Sequence, residues 1–441
     1  MAVTIVQKSS VTRRRKPKLA LVLSGGAISG GAFKIGGLID LDTLFSNLSV
    51  CDFQMYMGIS AGSFLAAPLA AGIRPQDILR SFTGKSSAYE PFHALDFYWP
   101  NIAEVASKGS GAVRELLSLY PALLWTSARA AAKSGPVAMA GLRSLFGRGK
   151  FSRKDLVDRQ IREFRQLADQ LPSPMAFIPS GVFDNAAIER YLRKNMVRAR
   201  VPNNFSLLRH ERGKDLYIHA VDLDTAQDVI FGPDERNDVS ISEAVQASTA
   251  LPGFYKPAHI NGRYYIDGSA KQTAPIDLAM AKGADLIICY NPFRPFKHAP
   301  NKNLSKKFSS MGEMGLSKII DQSIRTLLHS RLSLAIEDVR NQTSFQGDLV
   351  VLEPAESDAE YFQINPLSFW RRAEAARHGF VTVARDVERN LARLQDLFGR
   401  YGLDLDVTRM NMMMERLNDA GKDEDIVEIL ASPPVPAGWR D

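Results

Sequence analysis

Gly58-Ile59-Ser60-Ala61-Gly62 places a serine in the spacing G-x-S-x-G. The apolar run FQMYMGI (53–59) precedes it, and the small-residue stretch SAGSFLAAPLAAG (60–72) follows. The first reads as a buried strand and the second as a helix. A strand-to-helix turn that tight holds the serine in a strained conformation with its hydroxyl exposed at the sheet edge. Side chains at Gly58 and Gly62 would clash there, so glycine is required. The helix dipole then favours negative charge at Ser60. The spacing also occurs in plain turns; the strand before it and the helix after it mark Ser60 as a nucleophile. Such a hydroxyl needs a base and a set of donors for an oxyanion.

The donors are sought in LVLSGGAISGGAFKIGG, residues 21–37, where an apolar run ends in a glycine-rich turn. Two phosphate-binding readings fail on particular residues. A Walker loop needs lysine and a hydroxyl after its last glycine, and here Gly30 is followed by Gly31 and Ala32. A dinucleotide fingerprint needs G-x-G, and Gly26 is followed by Ala27 and Ile28. What remains is a run of backbone N–H groups at a helix start, one strand from Ser60. Gly25, Gly26, Ala27, Gly30 and Gly31 are therefore the candidate oxyanion donors.

These residues together resemble the patatin-like phospholipases, a family of lipid acyl hydrolases. That family carries a glycine-rich oxyanion loop, a G-x-S-x-G elbow and a D-G-[GA] motif in this order. The corresponding residues here are SGGAISGG, GISAG and Asp267-Gly268-Ser269, with family-like flanks AVDLDTAQDVIFG and ASTALPGFYKPAHINGRYYIDGSAKQTAPIDLA. The resemblance covers about 18–80 and 177–295 well and 315–395 loosely. It implies a Ser–Asp dyad with Ser60 as nucleophile, Asp267 as base and Gly268 as support for the aspartate motif, with no cofactor. It also implies hydrolysis of lipid esters of the phospholipase A or lysophospholipase type through an acyl-enzyme. The loop departs from the family's G-G-G-x-[RK]-G: Ala27 stands at the third glycine and Ser29 at the basic position. Alanine reaches fewer conformations than glycine, so a different loop path is expected, with activity retained but rate or substrate preference altered. Three other readings remain open. They are a silent membrane-associated scaffold of the same fold, a lipid acyltransferase, and a Ser–His–Asp hydrolase using His298, His329 or His378.

The elements that must position this chemistry alternate strand, turn and helix, which implies α/β architecture. Strands are expected over 18–24, 53–59, 215–224, 227–232 and 347–354, in ADLIICYNP, and in the hairpin HINGRYYIDG around Asn261-Gly262. A helix is expected over 32–45 and another in ISEAVQASTALP before Pro252. The expected fold is a three-layer α/β/α sandwich around a mainly parallel sheet. A basic flexible tail covers 1–17 and the catalytic domain 18–295, with a helical insertion at about 85–175. The domain's C-terminal part covers 296–400, and a helical or flexible tail covers 401–441.

The bulk numbers fit a large globular chain: 441 residues, 45% hydrophobic and 23% charged. The net charge of +7 is local. Residues 1–39 and 116–154 each hold seven basic residues and no acid, so the remainder is near 7 − 14 = −7. The stretch 113–154 is apolar, aromatic and basic, which suits a helix lying in a membrane interface and equally a lid over the active site or an added helical layer with a solvated basic face. An anionic membrane surface met through 116–154 and 8–18 is the expected partner, with nucleic acid disfavoured because no readout module accompanies the charge. The basic start followed by LALVLSGG resembles a secretory signal, but Gly25 and Gly26 break the apolar run too early. Two cysteines in apolar runs argue against a disulfide scaffold. No zinc spacing is present, and DLDTAQD lacks the glycine and glutamate of a calcium loop and reads as a turn. A cytoplasmic, peripherally membrane-associated protein without a metal is the resulting expectation.

Overall fold

The computed structural model describes residues 3–10, 16–81, 83–86, 89–102, 104, 106, 179–298 and 310–432. The basic stretch 116–154 and most of the insertion expected at 85–175 lie outside the described residues. The chain divides into two compact units, Met1–Trp99 with Phe183–Asp441, and Pro100–Val182. In the second, the Asn101 amide donates to the Glu104 carboxylate at 2.6 Å and to the Gly181 carbonyl at 3.0 Å. All that follows concerns the first.

Nine strands form one sheet: β1 (Val3–Gln7), β2 (Leu19–Leu23), β3 (Met55–Ile59), β4 (Asp215–Asp222), β5 (Asp228–Phe231), β6 (Ala258–Ile260), β7 (Arg263–Asp267), β8 (Leu286–Tyr290) and β9 (Asp348–Leu352). Their order is β1-β9-β8-β2-β3-β4-β7-β6, with β5 also paired to β4. The run β9-β8-β2-β3-β4 is parallel. Its strands are buried on both faces, which is why they read as continuous apolar runs. Leu19, Leu21 and Leu23 join one hydrophobic cluster, and Ala20 and Val22 the other. The first cluster is covered by α1 (Ala27–Leu44), α2 (Ala61–Ala70), α3 (Ile241–Thr249) and α5 (Arg372–Arg389). The second takes Leu332, Ile336 and Val339 from α4 (Leu316–Asn341). The result is the α/β/α sandwich expected from the strand and helix alternation.

Four expectations change. The segment read as a flexible tail contains β1, which pairs antiparallel along β9 from Val3↔Leu352 to Gln7↔Asp348. The edge of β9 offers unpaired backbone groups, and VTIVQ is β-branched enough to take them. Lys8 and Lys18 of the expected basic patch are tied inward: Lys8 Nζ donates to Val339 O at 3.0 Å and Lys18 Nζ to Lys282 O at 2.9 Å. The helices Val407–Asp419 and Asp423–Ala431 of the expected tail place Met410, Met413, Leu417 and Leu430 in the same cluster as α1.

Fourth, α1 starts at Ala27 rather than residue 32, so the second glycine pair lies within the helix. Isolated glycines lower helix propensity, but packing overrides it here. Further along α1, a Cβ on Gly36 would lie 1.8 Å from Ala376 O, and one on Gly379 of α5 would lie 1.8 Å from Phe33 O. The two helices touch backbone to backbone at these positions, which no larger residue permits. Among the described residues no helix is long and apolar enough to cross a membrane.

Candidate active site

Ser60 caps α2 at the end of β3 with φ 55° and ψ −128°, a conformation that costs a non-glycine residue about 1–3 kcal/mol. The surroundings enforce it. The Ser60 N–H donates to Ser248 Oγ on α3 at 2.8 Å, and that hydroxyl donates to the His219 carbonyl at 2.7 Å. The Ser60 carbonyl accepts from the Ser63 N–H at 2.9 Å and from Ser63 Oγ at 2.6 Å. Both elbow glycines are sterically required. A Cβ on Gly58 would lie 2.4 Å from Ser63 Cα, and one on Gly62 would lie 2.0 Å from Leu23 O.

The register along β4 brings the second residue to the first. β3 runs parallel to β4 and ends with Ile59 opposite His219. β7 runs antiparallel to β4 and ends with Asp267 opposite Ala220. Because β5 occupies the other edge of β4, β3 and β7 share one edge and meet tip to tip. Ser60 and Asp267 are the residues at those two tips. Ser60 is 8% exposed and Asp267 1%.

Asp267 Oδ1 accepts the Ser269 N–H at 2.8 Å, while the buried Oδ2 has no hydrogen-bond partner among the described residues. Burial pushes the carboxyl above its ordinary range, and the hydroxyl of Ser60, the Ser269 donors and the Lys34 charge pull it back only in part. A raised basicity is what a carboxylate needs to take a proton from a serine. Gly268 lies against the His219 carbonyl, 2.6 Å from where its Cβ would stand, which fixes the turn after Asp267.

The glycine turn faces the same point. A Cβ on Gly25 would stand 3.5 Å from Ser60 Cβ. Among the described residues the amides of Gly25, Gly26, Ala27 and Ile28 have no acceptor. The Ser29 amide donates to Pro366 O at 3.0 Å and the Gly30 amide to Gly26 O at 2.9 Å. Gly30 and Gly31 therefore drop out as donors, because the helix that starts at Ala27 claims their N–H groups. Ala27 has φ 49°, so it adopts a left-handed conformation that glycine reaches more cheaply.

An apolar cavity opens from Ser60, lined by Ile28, Ile35, Phe64, Phe92, Leu251 and Phe369 among others. Its polar side chains are Ser60, Thr249, Tyr255 and Arg372. Two of the three histidines of the triad reading have carboxylate neighbours: His329 lies 3.2 Å from Glu353 and His378 3.3 Å from Asp358. His219 is buried on β4 with Nε2 3.1 Å from Asp228 Oδ1, and burial lowers its pKa.

Free amides at a glycine turn, a strained serine and an aspartate at the facing strand tip follow one another in that order along the chain, and the family model for patatin-like phospholipases matches residues 21–280. The chain belongs to the patatin-like phospholipase family. Among curated proteins, the "Probable lipid hydrolase 463L" of Invertebrate iridescent virus 6 is 26% identical to it over 102 residues, 23% of this chain and 35% of that protein. The match thus spans about a third of that relative's length. Among solved structures, VipD from Legionella pneumophila aligns over 98% of this chain and 94% of its own at 11% identity and TM-score 0.29. ExoU of the Pseudomonas aeruginosa type III secretion system aligns over 97% and 73% at 16% identity and TM-score 0.26.

Two residues of this patatin-like site escape a reading by motif. Ser248 anchors the elbow from α3, and nothing in ISEAVQASTALP distinguishes it from Ser242 or Thr249. Lys34 is fully buried on α1, where Nζ donates to the carbonyls of Ser24 and Gly25, the latter at 2.8 Å. A lone lysine inside the otherwise apolar AFKIGGLI was the available signal.

Proposed function

We propose that this chain hydrolyses lipid esters, as a phospholipase A or lysophospholipase, through a Ser60–Asp267 dyad. Asp267 takes the hydroxyl proton of Ser60 as Oγ attacks the acyl carbonyl. The tetrahedral oxyanion forms beside the free amides of Gly25, Gly26 and Ala27. The C–O bond to the leaving alcohol breaks, and Asp267 returns the proton to it. Water, deprotonated by Asp267, then attacks the acyl carbonyl; the bond to Ser60 Oγ breaks, Asp267 returns the proton to Oγ, and the fatty acid leaves. The observation that carries this reading is the tip-to-tip meeting of β3 and β7 on one edge of β4, with the apolar cavity beside Ser60 supplying an acyl site.

Contact with a lipid surface belongs to the same proposal. From Leu316 to Leu334, α4 exposes Leu316, Ile319, Ile320, Ile324, Leu327 and Leu334 alongside serines, a threonine and a single arginine, with no exposed acid. An exposed aliphatic stripe of that extent marks an interaction surface. It adjoins the dyad, since Arg331 on α4 donates to the carbonyls of Ser269 and Ala270 at 3.2 and 3.0 Å.

The test is lipid profiling with wild type against Ser60→Ala and Asp267→Asn, together with fluorophosphonate labelling. Loss of hydrolysis in both variants and of labelling in Ser60→Ala is expected. An enzyme that hydrolyses fully without either side chain overturns the dyad. A wild-type chain that labels but transfers acyl groups to an alcohol rather than to water replaces hydrolysis with acyl transfer.

A further inference from the structure

The family's basic position in the loop is Ser29 here, yet a cation sits under the same loop from another direction. Lys34 lies about two helical turns into α1, fully buried, with its ammonium between the carbonyls of Ser24 and Gly25. A trans peptide points its C=O and N–H in opposite directions. Gripping the Ser24 carbonyl turns the Gly25 amide away from Lys34, and gripping the Gly25 carbonyl does the same for the Gly26 amide. Both of those amides lack an acceptor, and Gly25 packs against Ser60.

We propose that Lys34 is the positioning residue of this site: from beneath the turn it aims the Gly25 and Gly26 amides at the oxyanion and balances the Asp267 carboxylate. The inference rests on the Ser60–Asp267 reading. The titratable groups facing Lys34 are Asp267, at the end of β7, and Cys289 on β8. Burial keeps the Cys289 thiol neutral, so Asp267 is the countercharge. The same burial brings the Lys34 ammonium down to about 7, against the attraction of Asp267. The cation is therefore present in slightly acid solution and lost as pH rises through neutrality.

The experiment compares wild type, Lys34→Met and Lys34→Arg, with Ser60→Ala as the blank and thermal melting to establish folding. The readouts are kcat and KM from pH 5 to 9 and the rate of fluorophosphonate labelling at Ser60. Wild type is expected to lose activity on the alkaline side with an apparent pKa near 7. Lys34→Met is expected to lose about 10²-fold in kcat and in labelling rate with KM little changed, the cost of misaimed oxyanion donors. Lys34→Arg, whose cation does not titrate, removes the alkaline limb. A folded Lys34→Met within about two-fold of wild type in both readouts overturns the inference. Should neither variant fold, wild type alone decides, and a plateau unbroken to pH 9 overturns it. Activity that survives Ser60→Ala overturns the dyad reading instead, and the role of Lys34 falls with it.

Discussion

Gly62→Ala tests the elbow most directly, because the structure states what the new methyl meets. Its Cβ would stand 2.0 Å from Leu23 O and 2.5 Å from Ser24 O, both backbone atoms at the end of β2. Relief to a tolerable 3.0 Å requires the first turn of α2 to retreat from β2 by 3.0 − 2.0 = 1.0 Å. Ser60 caps that turn, so its hydroxyl moves relative to Gly25, Gly26 and Asp267, which are held by other elements. A displacement near 1 Å costs about 10²-fold in rate. Overpacking of this kind costs about 1–3 kcal/mol of stability. At roughly 2.1 cal/mol/K per residue the unfolding entropy of this chain is about 0.9 kcal/mol/K, so the melting temperature falls by only about 1–3 °C. Activity should thus collapse while the fold persists. The assay is kcat/KM on a short acyl ester with fluorophosphonate labelling and a thermal melt. Gly213→Ala is the control: Gly213 has φ 64° with nothing near its Cβ, so it should cost about 1 kcal/mol and leave the rate alone. Equal losses of activity in the two variants, or a Gly62→Ala enzyme within about two-fold of wild type, would refute the reasoning.

Ala27→Gly should relieve about 1–2 kcal/mol of left-handed strain. About 0.4–1 kcal/mol returns as greater freedom of the unfolded chain, leaving a melting temperature equal to wild type or slightly higher; a clear fall would count against the strain at φ 49°. Asp267 must be ionised to act as base and its burial favours the neutral acid, so kcat/KM should fall as pH drops through a value above the ordinary aspartate range. A profile flat down to pH 4 would remove Asp267 from the chemistry. Ile324→Asp and Leu327→Asp on α4 should weaken liposome binding while leaving turnover of a water-soluble ester unchanged; binding equal to wild type would detach that face from the membrane. Gly379→Ala, whose Cβ would stand 1.8 Å from Phe33 O, should separate α1 from α5 and lower the yield of folded protein, and normal melting would contradict the close crossing.

Much of this site is local, and local features are legible. The strand before Ser60, the glycines that flank it and the small-residue helix after it lie within one short stretch. Period and steric need alone single out the serine there. The β2, β8 and β9 runs were equally plain, because strands buried on both faces carry no polar alternation to obscure them. DLDTAQD reads as a turn, and Asp222 Oδ1 indeed accepts the amides of Asp224 and Thr225 at 3.1 Å.

Other features depended on neighbours far along the chain. Asp267 is tied to Ser60 only by the shared edge of β4, which sequence spacing does not encode; a resemblance to known motifs pointed to it, and the strand register brought it there. The glycine stretch before Ala32 reads as a turn because glycine weakens helices, yet Ala27–Gly31 are helical, with Gly26 and Gly30 packed against Pro292. β1 emerged because β9 had an open edge to fill. Lys34 carried no motif at all. Composition and periodicity determined most segments of strand, turn and helix, β1 and the first turn of α1 excepted, since those depend on residues a few positions apart. Which amides stay free, which lysine lies beneath them and which carboxylate faces the serine were decided by tertiary packing, because burial and strand pairing join atoms that the chain itself keeps distant.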